Sequence, residues 1–327
     1  MLTTNEILDK VNQALVHLSF DREPAGLYAP VRYVLSLGGK RIRPVLMLMA
    51  YSLYKKDIDA CMPAALGLEI YHNFTLLHDD LMDKADTRRG KPCVHKKWDD
   101  NTAILSGDSM LVLAFQMMQE CPAEVLPQVM SLFTETALEI DEGQQMDMDF
   151  ERRLDVTEEE YIEMIRLKTS VLLACALALG AMQAGAKDTD VECLHSFGEK
   201  IGLAFQLQDD LLDVYGDFAT FGKRIGGDIL ENKKTFLLIS ALQAASPEQR
   251  AELERWIKTN PSSQKEQQEK IAAVTALYDA IGVKGMTTHR INEFFHQARM
   301  LLEQLNLPLE TKQPLWEFAM SLMERKS

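Results

Sequence analysis

Three aspartates, Asp79, Asp80 and Asp83, crowd into "HDDLMD", and two arginines, Arg88 and Arg89, follow at once. Carboxylates this close repel one another unless a cation is shared among them. On a helix turning about 100° per residue the three fall within an arc of about 100°, the first and last about 6 Å apart along the axis, so all can address one point. One such cluster in an acidic protein is as readily a solvated charged face. A second copy shifts the balance: "FQLQDDLLD" sets Asp209, Asp210 and Asp213 in an apolar stretch where an exposed face is hard to accommodate. Burying unpaired carboxylates is costly, so a divalent cation is their natural partner. Oxygen-only ligands select a hard ion, and magnesium keeps its waters and takes substrate phosphates into its octahedron. The paired clusters therefore predict several magnesium ions gripping one diphosphate.

Cations should complete that grip. Arg88 and Arg89 lie just past the first cluster, Lys223 in "FGKRIGGD" just past the second, and Lys168 in "RLKTS" precedes a run of small apolar residues. Each alone reads as a surface cation, but adjacency to the acid clusters makes each a candidate phosphate ligand. The arginines offer planar forks that a lysine cannot. In "LGGKRIRP" (37–44) two glycines precede a helix start, with Lys40 and Arg43 alongside. Backbone amides and cations there form an anion site that needs no metal; a helix cap with exposed charges is the bland alternative.

These residues need helices to hold them. Apolar residues recur at intervals of three and four almost throughout, and alternating strand-like runs are hard to find, so the chain reads as all-α. Helices are expected roughly at 3–19, 27–37, 44–54, 60–86, 99–119, 123–150, 157–167, 169–185, 189–216, 226–245, 248–259, 263–281, 287–305 and 310–325. Thr157 with Glu160, and Ser246 ahead of Pro247, mark helix starts. The 327 residues, 46% hydrophobic, can bury one large helical core or two smaller ones. No linker or repeat divides them, so a single domain over 1–327 is the simpler reading, although the part after 245 is richer in charge and poorer in chemistry. A net charge of -14 argues against nucleic acid as a partner. Five cysteines without metal-ligand spacing suit a reducing compartment, hence the cytoplasm. The N-terminus has no signal-peptide pattern. The most apolar segment, 171–182, is shorter than the roughly 20 residues a membrane helix needs, and is expected as a buried helix.

Taken in order, "GGKRIRP", "HNFTLLHDDLMD", "RRGKPCVH", "GQQMD", "KTS", "FQLQDDLLD" and "FGKRIGGDILENKKT" span residues 38 to 235, and in this the chain resembles the trans-isoprenyl diphosphate synthases of the polyprenyl synthetase family. The resemblance implies a helical bundle around a deep central cavity, in a homodimer. It implies that Asp79, Asp80, Asp83, Asp209, Asp210 and Asp228 hold magnesium, three ions per active site, on an allylic diphosphate (dimethylallyl, geranyl or farnesyl), with Asp213 acting from behind. Arg88, Lys168 and Lys223 would bind that diphosphate, assisted by Lys233; Lys40, Arg43, His72 and Arg89 would hold isopentenyl diphosphate. Thr169 and Gln206 would present oxygens to a carbocation, and Gln144 and Asp147 would line the same cavity. No Ser/His/Asp or Cys/His arrangement competes with this chemistry.

Product length should depend on bulky residues on the turns before Asp79. Tyr71 and Thr75 lie within about 80° of Asp79 on the helix while Phe74 points about 140° away, so Phe74 owes its role as a floor to the resemblance. The expected product is geranylgeranyl diphosphate, with farnesyl diphosphate as the alternative. A class I terpene cyclase, which would not need "GGKRIRP", and a non-catalytic helical subunit storing divalent ions are the rival readings.

Overall fold

The computed structural model describes residues 2–216 and 225–323, so Lys223 lies outside the described residues. The chain is all-α. In order it forms α1 (Thr4–His17), α2 (Ala25–Ser36), α3 (Ile42–Ser52), a 3-10 turn (Ile58–Cys61), α4 (Met62–Met82), a hairpin of β1 (Thr87–Arg88) and β2 (Lys91–Pro92), α5 (Val94–Lys97), α6 (Asp100–Met118) and α7 (Leu126–Phe150). Then follow α8 (Glu158–Ile165), a π-helical turn (Arg166–Ser170), α9 (Val171–Gln183), α10 (Asp188–Tyr215), α11 (Gly227–Glu231), α12 (Phe236–Ala244), α13 (Pro247–Ile257), α14 (Gln264–Ile281), α15 (Val283–Gln304) and α16 (Leu309–Met323).

Two compact units are distinguishable: residues 1–134, 175–194 and 307–315 form the first, and residues 135–174, 195–306 and 316–327 the second. In the first unit Leu46, Met47 and Leu48 of α3, Leu68, Ile70 and Tyr71 of α4, and Met110 and Met118 of α6 are at most 1% exposed. A helix apolar on most of its faces, as α4 is, belongs inside rather than on a surface. In the second unit α8, α10, α12, α14 and α15 enclose a core that includes Tyr161, Leu207, Leu237, Val274 and Phe294.

Local signals placed several helix starts correctly. Thr157 and Glu160 form a reciprocal capping box, as do Ser246 and Gln249 with Pro247 in the first turn. Elsewhere tertiary structure redrew the boundaries. Helix α4 stops at Met82 instead of continuing to 86, because Lys84 turns left-handed (φ 54°) into the hairpin. The helix expected over 226–245 is two: Asn232, left-handed at φ 55°, ends α11, and Thr235 caps α12 by accepting from the Leu238 amide. The break expected near 168 is a π-helical turn, so helix runs without interruption from Glu158 to Gln183. That run has 26 residues and is long and apolar enough to cross a membrane by length and composition, but 83% of its apolar window is buried inside the protein. It carries Lys168 and reads as a core helix.

Candidate active site

In the first unit, the end of α4 and the hairpin bring acid and base together. Asp80 is buried, Asp79 half-buried, and Asp83 exposed as the helix C-cap, its amide donating to the Asp79 carbonyl at 2.9 Å. The three carboxylates are thus less alike than their spacing suggests. Arg88 on β1 donates from Nε to both Asp80 carboxylate oxygens at 2.8 Å, and its Nη2 lies 2.7 Å from Asp80 Oδ1 and 3.6 Å from Asp79. The next two residues are both left-handed, Arg89 at φ 52° and Gly90 at φ 72°. Two such residues make the tight turn that matches the twist of a hairpin.

That turn sends Arg89 back over the "LGGKRIRP" segment, where Nη1 donates to the Gly38 carbonyl. A Cβ on Gly39 would lie 2.8 Å from Arg89 Nη2, and Gly39 itself sits at φ 138°, so the position needs glycine twice over. Arg43 Nη1 lies 3.0 Å from His72 Nε2. Burial first, then Arg43, Arg89, Arg88 and Arg41, hold the His72 imidazole well below its ordinary pKa, so it is neutral and accepts from Arg43. Burial pulls Arg43 itself down to about 10. Four arginines therefore converge on one neutral histidine in a chain of net charge -14. Lys40 stands exposed beside them.

Arg41, which the motif contains but the sequence pattern gives no role, is left-handed (φ 49°) at the start of α3. Its Nη1 meets Glu69 Oε1 at 2.7 Å, both side chains being 3% exposed, and its Nη2 donates to the Leu35 carbonyl at 2.9 Å. Asn73 donates to the same Glu69 oxygen at 2.9 Å. The available signal was a glutamate inside the otherwise apolar "ALGLEIY".

The chain-length candidates share an aromatic cluster. Tyr71 packs on Phe74 (ring centroids 5.5 Å apart) and on Phe133 (5.3 Å), Phe133 on Phe115 (5.0 Å), and Phe74 on His78 (4.8 Å). Phe74 is therefore joined to Tyr71 in spite of its different angle on the helix. Thr75 donates to the His72 carbonyl at 2.8 Å.

In the second unit a pocket of about 160 Å³ is lined by Asp147, Tyr161, Lys168, Thr169, Gln206, Asp209, Asp210, Asp213, Asp228, Lys233 and Lys234, among others. The π-helical turn presents Lys168 and Thr169. Two glycines clasp it: a Cβ on Gly143 would lie 2.3 Å from the Lys168 amide nitrogen, and one on Gly202 2.6 Å from Ser170 Cα. Such turns are rare and concentrate at functional sites. Lys168 Nζ lies 2.6 Å from Asp147 Oδ2. Thr169 donates to Gln206 (3.1 Å), Gln206 donates to Asp210 Oδ1 (3.0 Å), and the Tyr161 hydroxyl donates to Asp210 Oδ2. Asp213 accepts from the Asp228 amide at 3.0 Å, and Lys233 Nζ is 4.0 Å from Asp228 Oδ1. Burial above all, opposed by the Tyr161 and Gln206 bonds, pushes Asp210 up to about 7; burial, then Asp210 and Asp213, pushes Asp228 up to about 8. Tyr161 and Lys234 had no sequence signal. Gln144 is not among the lining residues.

Buried carboxylates held this high are a donor set suited to a hard cation. Among the described residues no three carboxylate, imidazole or thiol groups converge as a closed metal shell. Magnesium does not require one, because it is commonly held by one or two carboxylates together with water and substrate phosphates.

An all-α chain with paired acidic motifs, each flanked by cations, is the pattern of the polyprenyl synthetases, whose family profile matches residues 24–275; the chain belongs to that family. It is 42% identical over 236 residues to a geranylgeranyl diphosphate synthase of Methanosarcina mazei, covering 71% of this chain and 72% of that one. A crystal structure of a geranylgeranyl pyrophosphate synthase superposes with a TM-score of 0.95 at 44% identity over 100% of both chains. Another, from Corynebacterium glutamicum and complexed with isoprenyl diphosphate and magnesium, gives 0.84 at 31% identity, covering 99% of this chain and 98% of that one.

Proposed function

We propose that the protein is a short-chain trans-prenyltransferase that condenses isopentenyl diphosphate with an allylic diphosphate, its main product geranylgeranyl diphosphate. The observation that carries this is the second-unit pocket, which five aspartates, the lysines Lys168 and Lys233 and the uncharged dipoles of Thr169 and Gln206 line together. The family match, which runs through both compact units, supports reading them as one functional domain.

Breaking the allylic carbon–oxygen bond leaves a diphosphate with added charge and a delocalised carbocation. When bound, magnesium supplies positive charge to that diphosphate, held by Asp79, Asp80 and Asp83 of the first motif and by Asp209, Asp210 and Asp228 of the second; three ions is the number we propose, and the Corynebacterium relative supports the choice of metal. Arg88, Lys168 and Lys233 are fixed cations whose attraction grows as the leaving charge develops, and Lys223, outside the described residues, is proposed to join them. Asp213, which accepts from the Asp228 amide, orients that ligand from behind. Thr169 and Gln206 turn oxygen dipoles toward the cation, which a dipole stabilises without capturing it. Lys40, Arg43, His72 and Arg89 hold isopentenyl diphosphate by charge and hydrogen bonds alone, supported by the four arginines around His72. The isopentenyl double bond attacks the cation, and the proton released goes to the departed diphosphate. Tyr71, Phe74 and Thr75 limit the tail, supported by the ring cluster.

A homodimer and a cytoplasmic location complete the proposal. Helix α6 exposes Ile104, Leu105 and Val112, at 45%, 59% and 58%, a stripe suited to a second copy of the chain. None of the five cysteines is in a disulfide, as a reducing compartment favours.

Mixing purified protein with isopentenyl diphosphate, an allylic diphosphate and magnesium should release pyrophosphate and yield geranylgeranyl diphosphate. Release from the allylic substrate alone would point to a terpene cyclase, and metal binding without turnover to an ion-storing scaffold. Lys168→Ala should lower kcat by about 100- to 1,000-fold, the loss that follows removal of one fixed group from the developing charge.

A further inference from the structure

Helix α14, in the part of the sequence poorest in chemistry, reaches through a lysine a small cavity that it shares with Asp228, Asn232 and Lys233, behind the second-unit pocket. Lys270 is 1% exposed, and among the described residues its ammonium has no carboxylate partner: Nζ donates to Asn232 Oδ1 at 2.8 Å and to the Thr259 carbonyl at 3.1 Å. A charge buried with only neutral acceptors is costly, and burial draws its pKa below the ordinary lysine value. A methionine would fill the same space without that cost, so the ammonium is retained for what it holds.

What it holds is the residue that breaks the helix. Asn232 lies at φ 55°, ψ 35°, its amide donating to the Ile229 carbonyl at 3.3 Å, and the next amide, that of Lys233, donates back to the Asp228 carbonyl at 2.9 Å. This turn carries the Lys233 ammonium to 4.0 Å from Asp228 Oδ1. A second buried lysine, Lys234, donates to the Asn232 backbone carbonyl at 2.8 Å, so Asn232 is gripped at both its side-chain and main-chain oxygens. One residue along α14, Ile271 presses on the other end of the segment: a Cβ on Gly226 (φ 80°) would lie 2.7 Å from Ile271 Cγ1. Helix α14 thus backs the whole of 226–232, the segment that bears Asp228.

We propose that Lys270 is a positioning residue for the diphosphate site, its ammonium holding Asn232 in the left-handed conformation that sets Lys233 beside Asp228. What Lys233 and Asp228 then do rests on the prenyltransferase reading.

The test is Lys270→Met, which keeps the side-chain length and removes the donor. In the full-length enzyme kcat/KM for the allylic diphosphate should fall by about 10- to 100-fold, the range for groups that orient ligands from behind. KM for isopentenyl diphosphate and the thermal midpoint should change little, and amide hydrogen exchange should quicken at 229–235. Asn232→Ala, which loses the acceptor and disfavours the left-handed turn, should show at least the same loss, and the combined variant no more than Asn232→Ala alone, because both changes break one contact. The proposal is overturned by a folded Lys270→Met whose allylic kcat/KM stays within about twofold of wild type, or by losses that multiply in the combined variant. Should Lys270→Met not fold, Asn232→Ala decides alone, an unchanged kcat/KM refuting the role. A wild-type protein that releases no pyrophosphate defeats the prenyltransferase reading, whereas unaltered exchange at 229–235 in Lys270→Met defeats only the positioning.

Discussion

Glu69→Gln removes the charge opposite Arg41 at almost constant volume. Both side chains are 3% exposed, with Arg41 Nη1 2.7 Å from Glu69 Oε1. At that distance and an effective dielectric constant of 20 the attraction is about 6 kcal/mol. Most of it is offset by the desolvation of two ions, so the intact pair adds little net stability. Breaking it is different, because a guanidinium left buried without its partner costs about 3–5 kcal/mol. At roughly 2–4 °C per kcal/mol the melting temperature should fall by about 6–20 °C, the lower end applying to a chain this long. Replacing both partners, Arg41→Met with Glu69→Leu, should recover most of that loss. Because Arg41 stands between Lys40 and Arg43, the single variant should also raise KM for isopentenyl diphosphate more than KM for the allylic substrate. Calorimetry and urea titration of wild type, both singles and the double give the coupling energy. A Glu69→Gln protein within about 1 kcal/mol of wild type, or a double variant as unstable as the sum of its singles, would refute the reasoning.

Phe74→Ala opens the ring cluster, so the product distribution on chromatography should move beyond geranylgeranyl diphosphate, accompanied by a stability loss of about 3–5 kcal/mol; unchanged products would remove Phe74 from length control. His72 is buried neutral among Arg41, Arg43, Arg88 and Arg89, its folded pKa far below 6.5. The unfolded chain therefore takes up a proton that the folded one refuses, and stability is lost as pH falls below 6.5 toward the folded pKa. His72→Gln should flatten that part of the stability profile, and the imidazole NMR signals of wild type should remain those of the neutral ring through it. Leu105→Glu with Val112→Glu should convert a dimer to monomers in analytical ultracentrifugation, and a wild type already monomeric would rule out the α6 interface.

The acidic motifs were legible in the sequence because their spacing is a property of one helical turn: residues one and four apart share a face wherever the helix ends up. Capping at Thr157 and Ser246 was legible for the same reason, since donor and acceptor lie three residues apart. The basic knot was legible as cations and glycines, but not as a pocket. Which aspartate is buried was not: Asp80 lies against Arg88 while Asp83 is exposed, a difference made by the hairpin that follows α4. Arg41 with Glu69, Tyr161 with Asp210, and Lys270 with Asn232 pair residues 28, 49 and 38 positions apart, and no periodicity encodes such separations. The break at Asn232 was equally hidden, since asparagine is tolerated within a helix and turns left-handed here where buried lysines hold both its oxygens. Local backbone geometry, set by neighbours in the chain, thus determined the helices and the reacting groups they carry. Packing, which alone decides which distant side chains leave water together, determined how those groups are charged, aimed and held.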